Sequence, residues 1–328
     1  MKTMNFPAVE IMRRVGRKTV TSAGRVNFEL WRQYLLKQII IDVNLEVVTT
    51  ILDAADIRVG APEAFISRID LVPGDATRIS KGADGLVLQN MIDHQCQVTS
   101  CVVTSADLCT ARMAIVLDVA LARAGKYDWE YLLNTAPQPS LNLFLDVVAP
   151  AIGKVLFITG EPTSVVSFSA TIDVSVIEYV PGAGLDVSTI SFLNVKQPEI
   201  LLPVTAVNPR LTQSLRQGPL LRGIAWRAYG GADEDTLYPI DTVINRVSLK
   251  HGGVVWADGV RHGSLQAADA ILGSFASLPV GAGWIDFSRD GLQSRMLNTG
   301  AMTQLQLEFD VAHPSAVDQI RIWPIEIE

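Results

Sequence analysis

Polar and apolar residues alternate with a period of two along much of this chain, the mark of strands with one buried face. The clearest run is Leu305-Gln306-Leu307-Glu308-Phe309-Asp310-Val311. In it Leu305, Leu307, Phe309 and Val311 share one face, and Gln306, Glu308 and Asp310 share the other. Residues 141–147 repeat the pattern with one lapse at Phe144, and Met113, Ile115, Leu117, Val119 and Leu121 alternate through residues 112–121. Helical periodicity is scarce. Its best candidate is short, residues 9–15, with Arg13 and Arg14 turned away from Val9, Met12 and Val15. Breaks rich in Gly, Pro and Asp fall at residues 59–62, 73–75, 181–184, 230–233 and 281–283. Many strands between such breaks predict an all-β protein of antiparallel sandwiches or barrels.

The second half of the chain echoes the first, in order. Leu35-Leu36-Lys37-Gln38-Ile39 returns 185 positions later as Leu220-Leu221-Arg222-Gly223-Ile224. Ile66-Ser67-Arg68-Ile69-Asp70-Leu71 returns 178 positions later as Ile244-Asn245-Arg246-Val247-Ser248-Leu249. At an offset of 164, Leu133-Asn134-Thr135 matches Leu297-Asn298-Thr299, and Leu141, Leu143, Asp146, Val147 and Pro150 match Leu305, Leu307, Asp310, Val311 and Pro314. An apolar run at residues 172–178 closes the first half as 320–326 closes the second. The offset shrinks because loops tolerate insertions that strands do not. A period this long is a duplicated domain rather than a solenoid. The expected organisation is a basic N-terminal arm or helix at residues 1–30, a first sandwich at 31–184 and a second at 185–328, with the seam at 181–185.

Composition permits a large packed core: 48% of the 328 residues are apolar and 19% charged. Charge is unevenly spread. Residues 1–37 hold eight cations and two acids, a net of +6, so a chain total of −7 leaves −13 on residues 38–328. Arg13, Arg14, Arg17 and Lys18 are the densest part of this basic segment, which suits contact with a polyanion or an anionic membrane surface. The three clustered cysteines, Cys96, Cys101 and Cys109, do not read as a disulfide framework and point to synthesis in a reducing cytoplasm. No signal segment opens the sequence, and no uncharged apolar stretch is long enough to span a bilayer.

With the duplication in view, the residues resemble the double jelly-roll major capsid proteins of tailless icosahedral viruses, the lineage of adenovirus hexon and membrane-containing bacteriophages. The resemblance rests on three segments. One is the strand entry Ile66–Ile69, repeated at Ile244–Val247, each followed by a polar hairpin containing Gly. The others are Trp284-Ile285-Asp286-Phe287-Ser288-Arg289-Asp290-Gly291, and Leu297-Asn298-Thr299 leading into the strand at Leu305. The approach at residues 209–221 is similar too. The resemblance covers most of residues 30–328. It implies two tandem eight-stranded jelly rolls side by side, and homotrimers of near-hexagonal outline that tile a virion capsid. The trimer interface would bury on the order of 2,000–5,000 Å². Partners implied are other copies of the chain, penton or vertex and minor capsid proteins, and an internal membrane or genome reached by the basic arm. No cofactor, small-molecule substrate or catalytic residue is implied.

Enzyme and lectin chemistry compete poorly. His94, Cys96, Cys101 and Cys109 have metal-binding side chains, but their spacing lacks the paired C-x2-C knuckle. A cupin-like metal centre needs closely spaced histidines, whereas His94, His251, His262 and His313 are isolated; His251 and His262 flank an expected hairpin. Ser264 follows Gly263 without the second glycine of a nucleophile elbow. Asp233, Glu234 and Asp235 crowd a Gly-rich loop where solvation is the default. Trp226, Trp256, Trp284 and Trp323 suit a sugar-stacking platform, but at strand spacing they read first as core or interface anchors.

Overall fold

The computed structural model describes residues 8–328 apart from 51–56, 58–60, 95–97, 106, 121, 124–125, 128–130, 151–155, 158–164, 183–186, 188–191, 234–236, 252–253, 274–277 and 289–292. The first half begins with strands β1 (Ala8–Val20), β2 (Gly24–Glu29) and β3 (Leu35–Thr49). Next come β4 (Ile66–Pro73), β5 (Ile79–Lys81), helix α1 (Ala83–His94), β6 (Val98–Ser105) and β7 (Leu108–Asp118). Two short pieces, β8 (Ala122–Arg123) and β9 (Lys126–Tyr127), precede β10 (Leu133–Asn134), β11 (Leu141–Val147) and β12 (Val165–Pro181).

The second half begins with β13 (Val195–Lys196), β14 (Ile200–Val204), β15 (Asn208–Ser214) and β16 (Leu220–Gly231). There follow β17 (Tyr238–Pro239), β18 (Ile244–His251), β19 (Val254–Arg261) and helix α2 (His262–Gly273). It ends with β20 (Ala282–Asp286), β21 (Leu297–Asn298), β22 (Leu305–Val311) and β23 (Val317–Ile327).

These strands make the same pair of sheets twice. In the first half the orders are β1-β12-β3-β7-β6 and β2-β11-β4-β5. In the second, β14 and β13 pair with β23, which pairs with β16 and then β20, while the other sheet runs β15-β22-β18-β19. Two antiparallel sheets joined in this order, repeated in each half, form a jelly roll. The chain is a double jelly roll.

Register shows how closely the copies agree. Leu133 and Asn134 pair with Leu36 and Leu35, and Leu297 and Asn298 pair with Leu221 and Leu220, at equivalent positions. The Thr135 hydroxyl donates to the Tyr34 carbonyl at 2.6 Å, and the Thr299 hydroxyl to the Pro219 carbonyl at 2.6 Å. Strands β4 and β18 share one burial pattern, as do β11 and β22. Buried Glu178 and Glu326 are also equivalent, and each takes an arginine, Arg13 and Arg216.

Alternation fills the two cores. Ile39, Ile41, Val43, Leu143, Leu145, Ile172 and Val174 close the first, and Ile224, Val247, Leu307, Phe309, Ile320 and Ile322 the second. Trp226 meets Phe309 edge to face, their centroids 5.8 Å apart. Met113, Ile115 and Leu117 of β7 are buried as their alternation predicts; Val119 is buried just beyond the strand, and Leu121 lies outside the described residues.

Three expectations need correction or completion. Residues 9–15 are not a helix: β1 is a strand laddered on β12 from Ala8 opposite Pro181 to Val20 opposite Ala170. A seven-residue helix cannot repay nucleation, whereas the edge of β12 satisfies the backbone of β1. Residues 8–29, expected within a separate arm, therefore belong to the sheets of the first jelly roll. Both true helices went unread, and each follows the fourth strand of its second sheet. At the expected seam, Pro181 ends β12, and residues 183–185 lie outside the described residues.

Replacing Thr135 or Thr299 by Val should cost a comparable amount in each copy, about 1–2 kcal/mol. Denaturant unfolding of the two single variants measures it, and equal losses are the expected result.

Candidate functional site

In a protein built from two rolls, the outer faces of the sheets decide what can be joined to what. In β16 and β23, side chains that alternate with the core residues point away from the second roll: Arg227, Tyr229, Arg321 and Trp323. They are buried or nearly so, because α1 of the first roll lies against this face. Leu35, Leu88, Tyr131 and Leu132 from the first half and Ala225, Trp284, Trp323 and Ile325 from the second form one apolar cluster across the junction.

Glycine makes the approach close enough. A Cβ on Gly85 of α1 would sit 2.5 Å from the Trp323 ring, so no other residue fits there without a shift. Around this contact, buried cations of the second roll meet carboxylates of the first. Arg222 donates to Asp93 at 2.9 Å, Arg227 to Glu63 at 2.5 Å, and Arg321 to Asp84 at 3.1 Å, while the Tyr229 hydroxyl also reaches Asp84. Glu199, just before β14, accepts from the Trp323 indole at 2.7 Å and from the Gly82 amide at 2.9 Å. The segment around β13 is tied to β5 and its flank through Ser80 to Gln197, Gln197 to Arg78 and Arg78 to Val195.

Burial sets the titration of these groups. It pushes Glu63 up against the pull of Arg227. Burial also pushes Asp93 upward, but the Arg222 charge and hydrogen bonds outweigh it, and the carboxyl sits below its ordinary range. Fully enclosed Lys81, which donates to Gln89 at 2.7 Å, is brought down to about 7 by desolvation. His94, at the end of α1, is raised by its 2.5 Å bond to Asp118.

The residues singled out as candidate chemistry are scattered by the fold. His94 turns to Asp118, His251 meets the Gln304 carbonyl at 2.8 Å, His262 meets the Trp226 indole at 3.4 Å, and His313 meets Asp318 at 2.6 Å. Thus no two imidazoles share a partner among the described residues. His251 ends β18, and His262, beyond the β18–β19 hairpin, is the first residue of α2. The Cys101 and Cys109 sulfurs lie 3.4 Å apart on β6 and β7; Cys96 lies outside the described residues. No group of three or more metal-ligating side chains occurs among the described residues. Asp233 is exposed, Glu234 and Asp235 lie outside the described residues, and Ser264 is exposed on α2.

Trp226, Trp284 and Trp323 are buried, Trp226 in a core and the other two at the junction, so they offer no stacking platform. Trp256 lies in β19. Arg13, Arg14, Arg17 and Lys18 project from β1. Arg13 pairs with Glu178 and stacks 4.0 Å over Trp31, Arg14 and Arg17 share Asp173, and Lys18 donates to the Asn27 carbonyl at 2.5 Å. The junction carboxylates escaped the sequence because each cation's partner is 129 to 237 positions away. One local signal existed: Arg227 and Arg321 each stand between apolar residues within a strand, Trp226 and Ala228 in β16 and Ile320 and Ile322 in β23.

No protein-family model and no curated protein matches this sequence. Its fold is similar to that of major capsid protein P2 from bacteriophage PM2, at 10% identity over 98% of both chains, with a TM-score of 0.62. It is also similar to the atomic structure of Sulfolobus Turreted Icosahedral Virus (14% identity, 97% of this chain and 90% of that one, TM-score 0.68). The Faustovirus major capsid protein matches at 10% identity over 100% and 91%, with a TM-score of 0.60.

Two predictions follow from the junction. Arg227→Met should destabilise the chain by about 3–5 kcal/mol by leaving Glu63 buried without its cation, and adding Glu63→Leu should recover most of that loss; a double-mutant cycle in urea reads both. Because the His94 pKa is raised in the folded chain, its stabilisation is full below its unfolded pKa and fades as pH rises through the folded value. The wild-type advantage over His94→Gln, about 1 kcal/mol at pH 5.5, should therefore shrink by pH 9, as followed by thermal unfolding.

Proposed function

We propose that this chain is the major coat subunit of an icosahedral virus, acting by assembly rather than turnover. Three copies form a capsomer of six jelly rolls, and capsomers tile the shell of the virion. The observation that carries the reading is the double jelly roll itself, similar over nearly its full length to solved major capsid proteins from unrelated-looking sequences. A duplicated roll suits this work physically: three chains present six like units, and a closed ring limits its own size. Within this reading the cations of β1 supply the contact with an internal membrane or genome, Lys18 foremost, since Arg13 is paired with Glu178 and Arg14 and Arg17 with Asp173. Penton and minor coat proteins are the remaining partners.

The alternative of a carbohydrate-binding or cupin-like double sandwich finds no support in the separated imidazoles and the buried Trp226, Trp284 and Trp323. Size-exclusion chromatography with light scattering tests the proposal. The expected particle has three times the 35.6 kDa chain mass or a multiple of it; a monomer persisting at high concentration would overturn it.

A further inference from the structure

The two helices are equivalent, residue by residue. Each packs on the matching three strands of its own roll: β7, β4 and β5 for α1, and β20, β18 and β19 for α2. Asn90 of α1 accepts from the Val116 amide of β7 at 2.7 Å, and Asp269 of α2 accepts from the Trp284 amide of β20 at 3.2 Å. Val116 lies opposite Ile40, and Trp284 opposite Ala225, which are the same position of β3 and β16. The helices thus superpose in register with an offset of 179. Gly85, Leu88, Gln89 and Ile92 of α1 correspond to Ser264, Ala267, Ala268 and Ile271 of α2.

Their surroundings differ. Gly85, Leu88 and Gln89 are buried, and Ile92 packs with Leu88 in the junction cluster. The matching face of α2 is open: Ser264, Ala267 and Ala268 are exposed, and Ile271 is 79% exposed, the highest value among the exposed large apolar residues that the structure describes. Likewise, the outer face of β16 and β23 is covered by α1, whereas among the described residues no helix packs on the equivalent face of β3 and β12. That face carries Ile40 and Ile177, half-buried, with Met12 of β1 beside Ile177 and 63% exposed.

We infer that α2 docks on the outer face of β12 and β3 in a second copy of this chain, repeating between chains the junction that α1 makes within one. This rests on the coat-subunit reading and names the surface through which copies join. Two complementarities favour a second copy as the occupant. The first is clearance: within the chain a glycine faces a tryptophan (Gly85 and Trp323), and the corresponding pair between chains, Ser264 and Ser175, is small enough to allow a close approach. The second is charge. The inner junction sets Asp84 and Glu63 against Arg321 and Arg227, and the equivalents of those arginines on the open face are Asp173 and Asp42. These acids are already paired with Arg14, Arg17 and Arg112, and the docking face of α2, uncharged at Ser264, Ala267, Ala268 and Ile271, leaves those pairs undisturbed. Placed there, α1 would lose the pairing of Asp84 with Arg321 that it has within the chain, so the contact favours α2. Being head to tail, the contact propagates until the ring closes.

Cross-linking tests this directly. The double variant Ser175→Cys with Ser264→Cys, treated with an added disulfide-forming oxidant, should give covalent dimers and trimers on a non-reducing gel, and neither single variant should. Separately, Ile271→Asp should raise the concentration needed for assembly about tenfold or more, with the circular dichroism spectrum unchanged. Trimers that neither cross-link nor respond to Ile271→Asp would overturn this contact while leaving the coat reading intact. Wild-type chains that stay monomeric would overturn both.

Discussion

The architecture depends on covering one sheet. The outer face of β16 and β23 carries Trp323 and Ile325 beside Arg227 and Arg321, a mixture that is costly to leave in water on its apolar side and costly to bury on its charged side. Helix α1 resolves both demands at once. Gly85 lets it approach the indole, and Asp84, Asp93 and the nearby Glu63 each answer a guanidinium. Two rolls that could have hung on a tether are thereby fixed side by side. On the proposed coat role, a fixed pair matters because angular play within the subunit would be multiplied across a shell.

Duplication followed by divergence explains why the two junction faces are no longer alike. Where the second roll kept or acquired cations at Arg227 and Arg321, the first has Asp42 and Asp173, screened by Arg112, Arg14 and Arg17. The helices diverged in step, α1 acidic and α2 nearly neutral on its open face. With α2 seated as proposed, this difference between the matched surfaces is what separates the internal neighbour from the external one.

The clearest strands were legible because one face of each is wet or polar. Leu305–Val311 and Leu141–Val147 show a clean period of two, and the equivalence of Thr135 with Thr299 and of Leu133 with Leu297 could be read from identity alone. Helix α1 was illegible for the opposite reason: buried between its own roll and the next, residues 83–90 have no polar stripe to mark the helical period. Strand β1 misled because it lies at a sheet edge. Its outward Met12 and Val9 are apolar and its Arg13 turns towards Glu178, so neither period is clean. The ion pairs of the junction were beyond reach, since a charge within a strand does not reveal the partner that a distant segment will bring.

Electron cryo-microscopy of the assembled protein, at a resolution that separates helices, bears most directly on the claim that one helix-on-sheet junction is used both within and between chains. The account predicts six rolls around each capsomer with α1 and α2 alternating at equivalent junctions, α2 seated on β12 of the next chain. A capsomer in which α2 faces solvent, or a twofold dimer joined through matching surfaces, would contradict it.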